Sequence, residues 1–348
     1  MVEQRVLVTN CKTGMILAED IIYNGSKLAS KNTVLNTYII DKLISLGEYS
    51  ICVYIPKNYD KVDESNSILE SFKRDYEEDI KQVQKIISEL MMTSNINVND
   101  VLKISKSVIR YLEEPGVIIE CLNSLKNADE YTYTHCINVA IYSMLIAKWM
   151  NLSLESIQEV IQSALLHDIG KTRIPNEILN KPGKLTSEEF NEIKKHTTWG
   201  YYLINQYSNL NNNIKNAILM HHEKIDGSGY PLGITDKEIV LGAKIISVAD
   251  TFDAMTSNRV YKKGTTPFKA FLMFMTEGVK YYDTSAIFAL LDNISSYYIG
   301  MKVTLEDGRT GEIMYIPPND VLSPIVQVED ELIDFSRKVD LSITSVYV

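Results

Sequence analysis

The stretch from residue 160 to residue 171, VIQSALLHDIGK, constrains this 348-residue chain more than any other. Apolar residues leading into it recur at steps of three and four, which predicts a helix with one face in a core; they are Ile157, Val160, Ile161, Ala164 and Leu165. Asp168 continues that face, with His167 beside it and Lys171 one turn further on. A buried carboxylate must be protonated, paired or bound to metal, because burying an isolated charge is costly. From this stretch alone, an ion pair of Asp168 with Lys171 and a metal site are equally good interpretations.

The five histidines of the chain favour the metal site. Four of the five continue apolar stripes at helical spacing, and the full set is His135, His167, His196, His221 and His222. A further segment, IISVADTFDAM, places Asp250 and Asp253 on the face of Ile246 and Ala249. One histidine on an apolar face is usually a hydrogen-bonded core residue, but five with inward aspartates exceed what core packing needs. Because imidazole and carboxylate together suit divalent transition metals, the pattern predicts a buried site for more than one ion.

Charge, cysteines and hydropathy exclude several classes of protein. The formal net charge of -10 argues against binding to nucleic-acid polymers, which needs a basic surface. The four cysteines form no CxxC pair, so we interpret them as free thiols in a reducing compartment. The N-terminal sequence lacks the apolar core of a signal peptide, and the most apolar run, 139–147, is far shorter than the roughly 20 residues of a membrane span. We therefore expect a soluble, cytoplasmic protein that does not contact a membrane.

The first hundred residues divide into two predicted parts. Strand-like runs around one helix, predicted at 37–46, indicate a small N-terminal α+β domain over residues 1–60, interpreted as a scaffold or dimerisation unit. Residues 61–100 are predicted to be a helical linker. Within it, the charge-rich segment 61–91 has apolar residues at helical spacing, so it either pairs with its copy in a homodimer or is a solvated helix.

The rest of the chain is predicted to be mainly α-helical, with a β-rich end. Residues 101–298 carry apolar stripes separated by short breaks, which predicts a large helical unit. Thr186 and Glu189 predict a capping box that opens the helix carrying His196. Residues 299–348 change to a small β-rich module, with a hairpin signal at Asp307-Gly308.

Five motifs in the helical unit follow one another at intervals of roughly 25 to 30 residues: THCINVA, LLHDIGKTRIPNEILNKPGKLT, KKHTTWG, HHEKIDGSGYP and VADTFDAMTSNRVYKK. Together they resemble the HD-GYP family, the metal-dependent cyclic-di-GMP phosphodiesterases of the HD superfamily. The resemblance covers roughly half of the chain, from about Asn127 to about Tyr297, and includes a literal Gly229-Tyr230-Pro231. It implies an HD-type helical bundle for the catalytic domain.

The resemblance also implies a set of metal ligands. They are His135, His167, Asp168, His196, His221, His222 and Asp250. Asp168 would bridge two divalent ions, iron or manganese in this family, and the first ion would take His135, His167 and Asp250. The second ion would take the other three histidines. Some members bind a third ion through a glutamate four residues before the first histidine; this chain has Tyr131 there, and Glu130 would point elsewhere on the helix, so we expect two ions.

The chemistry implied by this centre is hydrolysis of cyclic-di-GMP. A hydroxide bridging the two ions would attack phosphorus and open the ring to pGpG, and a second cut would give GMP. Lys171 matches the lysine of the family's HDxxK motif and would steady the hydroxide or a phosphate oxygen. Asp253 would orient a ligand or accept a proton; the alternative is a carboxylate that caps a neighbour.

Substrate contacts are predicted from four further residues. Arg259 and Lys262 match the family's basic pair that holds a phosphate, with a solvated helix end as the alternative. Lys184 follows the HD helix and, like Arg173, would add positive potential at the mouth of the site. Tyr230 would touch the nucleotide or pack its own loop. Glu223, adjacent to His222, is expected to hydrogen-bond a histidine rather than a metal.

Two rival functions stay open at this point. The first is a protein that binds cyclic-di-GMP without turnover and signals through its N-terminal domain. The second is a hydrolase of another cyclic dinucleotide, such as cyclic GMP-AMP, which the GYP and RVYK motifs do not distinguish. A turnover assay separates all three.

Overall fold

The computed structural model divides the chain into two compact units, Met1–Ile68 and Leu69–Val348. It describes residues 2–11, 15–23, 26–33, 35, 37–47, 50–55, 61–124, 131–208, 210–258, 264–317, 320–329, 331–337 and 341–347.

The N-terminal unit is a small α+β structure, as predicted. Strands β1 (Val2–Leu7), β2 (Ile16–Leu17) and β5 (Ser50–Ile55) form an antiparallel sheet in the order β1-β5-β2, and β3 (Ile21–Tyr23) pairs with β4 (Ser26–Ala29). Helix α1 (Thr37–Ser45) accounts for the predicted helix at 37–46. Alternate side chains of β5 are buried, as expected for a sheet with one face in a core; that core includes Leu17, Leu35, Leu43, Ile51 and Val53.

A long helix, α2 (Lys61–Thr93), begins within the first unit and continues into the second. Its apolar residues recur at helical spacing, and from residue 72 onward they are buried within the chain itself; they are Phe72, Tyr76, Ile80, Val83, Ile86 and Leu90. This stripe is therefore not available for pairing with a second copy of the chain.

The second unit is mainly helical. Its helices are α3 (Val98–Ile109), α4 (Pro115–Ser124), α5 (Tyr131–Trp149), α6 (Leu154–Leu166), α7 (Asn176–Leu179), α8 (Ser187–Lys194), α9 (His196–Asn205), α10 (Asn212–Met220), α11 (Leu241–Thr256), α12 (Pro267–Met273), α13 (Val279–Tyr281) and α14 (Thr284–Ile294). Helix α5 lies at the centre, because nearly all of its side chains from residue 135 to 147 are buried against α6, α11 and α14. No helix of the described part of the chain is long and apolar enough to cross a membrane.

Two local sequence signals are confirmed. The Thr186 side chain caps α8, and Glu189 returns a hydrogen bond to the Thr186 backbone, which completes the predicted capping box. The capped helix ends at Lys194 rather than continuing, and His196 opens α9 after a one-residue break. The Asp307-Gly308 turn, in which Gly308 has φ +88, joins the first two strands of the C-terminal sheet.

The C-terminal sheet has five antiparallel strands in the order β10-β6-β7-β8-β9. They are β6 (Lys302–Leu305), β7 (Thr310–Tyr315), β8 (Ile325–Val328), β9 (Glu331–Asp334) and β10 (Ile343–Tyr347). The fold class is thus the predicted one, a helical bundle with small sheets towards the two ends of the chain.

Candidate metal centre

The dipeptide His167-Asp168 lies immediately beyond the end of α6. The backbone of Asp168 leaves helical geometry at φ −97 and ψ 5, and a 3₁₀ turn over Ile169–Arg173 follows. This turn packs directly on the start of α9 because Gly170 has no side chain. A Cβ at Gly170 would clash with the carbonyl oxygen of His196. The close approach brings His196 next to the dipeptide.

Three of the imidazoles are tethered to the backbone at helix ends. In each, Nδ1 lies within hydrogen-bond distance of the carbonyl oxygen three residues earlier, which fixes the ring and makes Nε2 the metal-facing nitrogen. The pairs are His167 with Ala164 (2.7 Å), His196 with Ile193 (2.7 Å) and His221 with Ile218 (2.8 Å).

The candidate ligands form two groups that share no residue, and His167, Asp168 and His221 form a third that overlaps both. Within each group one ligand atom per residue lies within 4.8 Å of the others, a spacing that one ion can span; the first two groups are His135, His167 and Asp250, and His196, His221 and His222. These are the same two sets that the sequence resemblance implied. Four of the histidines are buried in the core, and His222 and Asp250 are partly exposed at its edge.

Asp168 lies between the two groups, with one carboxylate oxygen towards each. Oδ2 is 3.3 Å from Nε2 of His167 and 3.8 Å from Nε2 of His135. Oδ1 is 3.4 Å from Nε2 of His196. A carboxylate in this position can contribute an oxygen to each of two ions.

Two atoms at the middle of the site have unmet hydrogen-bonding capacity. Among the described residues, Nε2 of His167 and Oδ1 of Asp168 are buried and make no hydrogen bond. Leaving a buried polar atom unsatisfied costs about 1–3 kcal/mol, so such atoms normally have a partner. Cations held by the two groups would give both atoms a partner, because Nε2 of His167 belongs to the first group and Oδ1 of Asp168 faces His196 of the second. Nitrogen with carboxylate oxygen is a donor set that iron and manganese accept. The residues present therefore fit a metal centre.

The electrostatics of the site agree with this chemistry. Burial lowers the pKa of His196, His221 and His222, that of His222 to about 3, so these rings are neutral and can donate lone pairs. Burial alone would raise the pKa of Asp168, but the neighbouring His167 and Lys171 hold it well below its usual range. Asp168 is therefore a carboxylate.

His135 is held differently from the tethered imidazoles. Its Nδ1 lies 2.7 Å from Oδ2 of Asp253, and its Nε2 points towards Asp250 Oδ1 at 3.2 Å. Burial disfavours the charged ring, but the hydrogen bonds with Asp250 and Asp253 raise the pKa of His135 to about 9. Asp253 itself is 1% exposed and makes contacts of both predicted kinds. Its Oδ2 faces His135, and its Oδ1 accepts from the hydroxyl of Ser257 at the end of α11, at 2.7 Å.

Lys171 forms an ion pair with Asp168, which is one of the two interpretations of the first stretch, and this ion pair lies inside the candidate metal centre. Its Nζ is 2.5 Å from Oδ2 of Asp168, which confirms the ion pair. The metal site stays a prediction, supported by the groups of histidine and aspartate that could hold an ion. The Lys171 side chain is 30% exposed, whereas that of Asp168 is 4% exposed, so the lysine reaches the centre from its more open side.

The GYP loop is anchored by Glu223. We expected this carboxylate to hydrogen-bond a histidine, and that prediction was wrong: it accepts from the backbone amides of Leu232 (2.6 Å), Gly233 (3.1 Å) and Ile234 (3.3 Å). The chain turns away from α10 after Met220, so adjacency to His222 does not make Glu223 face the same way.

Tyr230 of this loop lies against the site. Its ring centroid is 4.8 Å from that of His222 and 6.4 Å from that of His196. Gly229 is required next to it, because a Cβ there would clash with the backbone of Glu223. Lys194, which the sequence did not single out, has its Nζ 5.6 Å from the centre of the Tyr230 ring.

The other predicted substrate contacts are not brought to the centre by any described contact. Lys184 is exposed in the loop between α7 and α8. The guanidinium of Arg173 donates a hydrogen bond to the hydroxyl oxygen of Ser94 at 3.3 Å. Arg259, Lys262 and Glu130 lie outside the described residues, as does the side chain of Tyr131.

Comparison with known proteins adds an independent line of evidence. Residues 120–286 match the family described as HD domain. The chain is 36% identical over 226 residues to cyclic di-GMP phosphodiesterase PA4108 of Pseudomonas aeruginosa, covering 65% of this chain and 53% of that protein. It is 29% identical over 241 residues to 3'3'-cGAMP-specific phosphodiesterase 2 of Vibrio cholerae, covering 67% and 44%. The chain therefore spans about half the length of these curated relatives.

One solved structure shares the fold. The HDG"Y"P protein Bd1817 from Bdellovibrio bacteriovorus superposes with a TM-score of 0.52 at 17% identity, covering 84% of this chain and 99% of that one. The same helical scaffold thus occurs in a chain with little sequence in common. Residues 120–286 in the helical part of this chain thus match the HD-domain family, and the chain resembles HD-GYP proteins in its motifs and shares the fold of one of them.

Proposed function

We propose that this chain is a metal-dependent phosphodiesterase that hydrolyses cyclic-di-GMP to pGpG and then to GMP. The observation that carries the proposal is the placement of the Asp168 carboxylate between two groups of three ligands each. Further support comes from the relative named as a cyclic di-GMP phosphodiesterase, to which the chain is 36% identical over 226 residues.

The proposed cofactors are two divalent ions, iron or manganese. His135, His167 and Asp250 would hold the first, and the other three histidines the second, with Asp168 shared by both. When bound, two such ions supply a hydroxide nucleophile at neutral pH and positive charge against the phosphoryl oxygens. The net reaction adds water across one P–O3′ bond: phosphorus gains the oxygen, and the ribose 3′ oxygen gains the proton.

The chain's own residues position the substrate and keep the nucleophile in place. Lys171 holds Oδ2 of Asp168 and presents its remaining N–H groups at the edge of the centre, where they can contact a phosphate oxygen. Tyr230 offers a ring face beside His222 for contact with the nucleotide. We keep Arg259, Lys262 and Lys184 as proposed phosphate contacts, on sequence grounds alone.

Cyclic GMP-AMP is the second candidate substrate, because one relative is named as specific for 3'3'-cGAMP. The two molecules differ in one base, while the phosphodiester that is cut has the same chemistry in both. We further propose a cytoplasmic location and, as partner, a second copy of the chain bound through the N-terminal unit.

The test is metal analysis under anaerobic conditions combined with turnover of cyclic-di-GMP and of cyclic GMP-AMP in added iron or manganese. We expect two ions per chain and the appearance of pGpG or GMP on chromatography. If the protein binds two ions and binds cyclic-di-GMP tightly but does not cleave it, it is a sensor rather than an enzyme. Faster turnover of cyclic GMP-AMP would change the substrate, and a protein that binds no metal would contradict the proposal as a whole.

A further inference from the structure

A chain of three hydrogen bonds joins helix α2 to the imidazole of His135. The Tyr76 hydroxyl, on α2, donates to Oδ1 of Asn138 at 2.7 Å. Nδ2 of Asn138 donates to Oδ1 of Asp253 at 2.9 Å. Oδ2 of Asp253 lies 2.7 Å from Nδ1 of His135. The four residues come from α2, α5 and α11, so the chain of bonds crosses three helices.

The chain of bonds has one chemically consistent direction. A carboxylate only accepts hydrogen bonds, so Asn138 must turn its NH₂ group towards Asp253 and its carbonyl oxygen towards Tyr76. Burial raises the pKa of Tyr76, so its hydroxyl keeps the proton that it donates. At the other end, Asp253 holds the proton of His135 on Nδ1, which leaves Nε2 as the atom that faces the first ligand group.

The bond between Asp253 and His135 is buried and the two bonds of Asn138 are partly buried, and reduced contact with water strengthens a hydrogen bond. Tyr76 is 7% exposed, Asp253 1% and His135 4%. His135 also differs from the tethered imidazoles in that a side chain, rather than a backbone carbonyl, holds its Nδ1. Its orientation therefore depends on where α11 and α5, and through Asn138 also α2, place their side chains.

We propose that Tyr76 is a positioning residue for the metal centre, acting through Asn138 and Asp253 to hold His135 in its ligand orientation. The proposal rests on the proposed function, since it takes His135 as a ligand of the first ion. Because Tyr76 belongs to α2, a displacement of this part of α2 reaches one ligand of that ion by this route.

The test is Tyr76→Phe, with Tyr111→Phe as the matched control. Both tyrosines are buried, and both rings contact Phe72, with centroid separations of 6.1 Å and 4.9 Å. Both hydroxyls are hydrogen-bonded, but that of Tyr111 ends at Asp75 (2.5 Å) and Ser71 (3.1 Å), away from the histidines. Comparing the two variants thus separates the effect of losing a buried hydrogen bond of a tyrosine hydroxyl from the effect of losing the connection to His135.

The readouts are the dissociation constant of each Mn²⁺ ion, by calorimetry, and the visible absorption spectrum of the protein loaded with Co²⁺. We expect Tyr76→Phe to raise the dissociation constant of one of the two Mn²⁺ ions by about tenfold or more and to alter the Co²⁺ spectrum. Tyr111→Phe should change neither the dissociation constants nor the spectrum. Asn138→Leu should reproduce the effect, and combining it with Tyr76→Phe should add nothing, because both remove the same connection.

The outcomes separate this inference from the function on which it rests. If the unmodified protein binds two ions and Tyr76→Phe behaves like Tyr111→Phe, the positioning role is overturned and the metal centre stands. If the unmodified protein binds no divalent ion, the proposed function fails first and the positioning role fails with it.

Discussion

Asp168 is the residue on which both ligand groups depend. Its two oxygens face different histidines, at 3.3 Å and 3.4 Å, so it is placed to contribute an oxygen to each of two ions. The histidines, by contrast, are divided between the groups. Loss of a single histidine is therefore expected to weaken one ion more than the other.

Replacing Asp168 by alanine is expected to remove both ions, since a shared ligand serves each of them, and to reduce turnover at least a hundredfold. Metal content by mass spectrometry and the rate of cyclic-di-GMP cleavage are the measurements. Asp79→Ala, at a second buried aspartate remote from the histidines, is the control and should keep both ions. Retention of two ions by Asp168→Ala would reject the bridging position.

Glu223→Gln tests the anchor of the GYP loop. A neutral amide accepts hydrogen bonds more weakly than a carboxylate, and its NH₂ group would face the donors of Leu232 and Gly233. We expect a several-fold rise in the Michaelis constant for cyclic-di-GMP with unchanged metal content. Glu238→Gln, which loosens the exposed capping box at Thr235 in the same loop region, should have a smaller effect on that constant. Equal Michaelis constants in the two variants would show that Glu223 does not contribute to substrate binding.

At the scale of the elements, α2 carries a buried acid in its packed face. Asp79 is 8% exposed, and burial raises its pKa to about 7, with the nearby Asp75 adding to the effect and Ser107 and Arg110 opposing it. The folded chain thus binds a proton at Asp79 that the unfolded chain, with a pKa of about 3.9, releases at lower pH. The stability that this proton contributes is complete below about pH 4 and is lost as the pH rises through 7.

Asp79→Asn is therefore expected to stabilise the protein at pH 8, by an amount on the order of 2 kcal/mol, and to have little effect near pH 4. Urea unfolding of both proteins from pH 4 to pH 8 measures the difference. Asp100→Asn is the control, and its effect on the free energy of unfolding should have the opposite sign, because the hydrogen bond from Lys103 lowers the pKa of Asp100. Its substitution should destabilise at neutral pH, with the effect fading as the pH falls below about 4. A difference for Asp79→Asn that is constant with pH would contradict the argument.

The helices and the loop after α10 also show which features of the site could be predicted from the sequence. Periodicity located the buried histidines, because a side chain that continues an apolar stripe faces the core whatever the neighbouring helices are. It could not locate Tyr76 or Asn138 as partners, since their contact spans 62 positions of sequence and depends on how α2 packs on α5. Glu223 was assigned the wrong partner because its direction depends on the loop after α10, which has no repeating pattern to read.

At the scale of the whole molecule, the candidate centre ties together helices that are distant in sequence. Its ligands come from α5 to α11, with more than a hundred residues between His135 and Asp250. Ions that bind only the folded arrangement of these helices stabilise it, by about 2.7 kcal/mol for each site at a free concentration one hundred times its dissociation constant.

Adding Mn²⁺ to the chelator-treated protein is thus expected to raise the unfolding temperature of the helical unit by several degrees. Differential scanning calorimetry at a series of Mn²⁺ concentrations measures the shift. Asp168→Ala should show little of it, whereas Tyr111→Phe should show all of it. An equal shift in Asp168→Ala would mean that Mn²⁺ acts elsewhere on the chain.

The tethering of three imidazoles to backbone carbonyls has a consequence for how such a centre tolerates change in sequence. A carbonyl is supplied by any residue, so substitutions at Ala164, Ile193 or Ile218 leave the direction of those rings unaltered as long as the helix ends persist. The ring of His135 is held by side chains, and it is therefore the ligand that mutation can retune. Divergence among related chains can thus adjust the orientation of His135 through α2, α5 and α11 without changing the carbonyls that hold the three tethered rings.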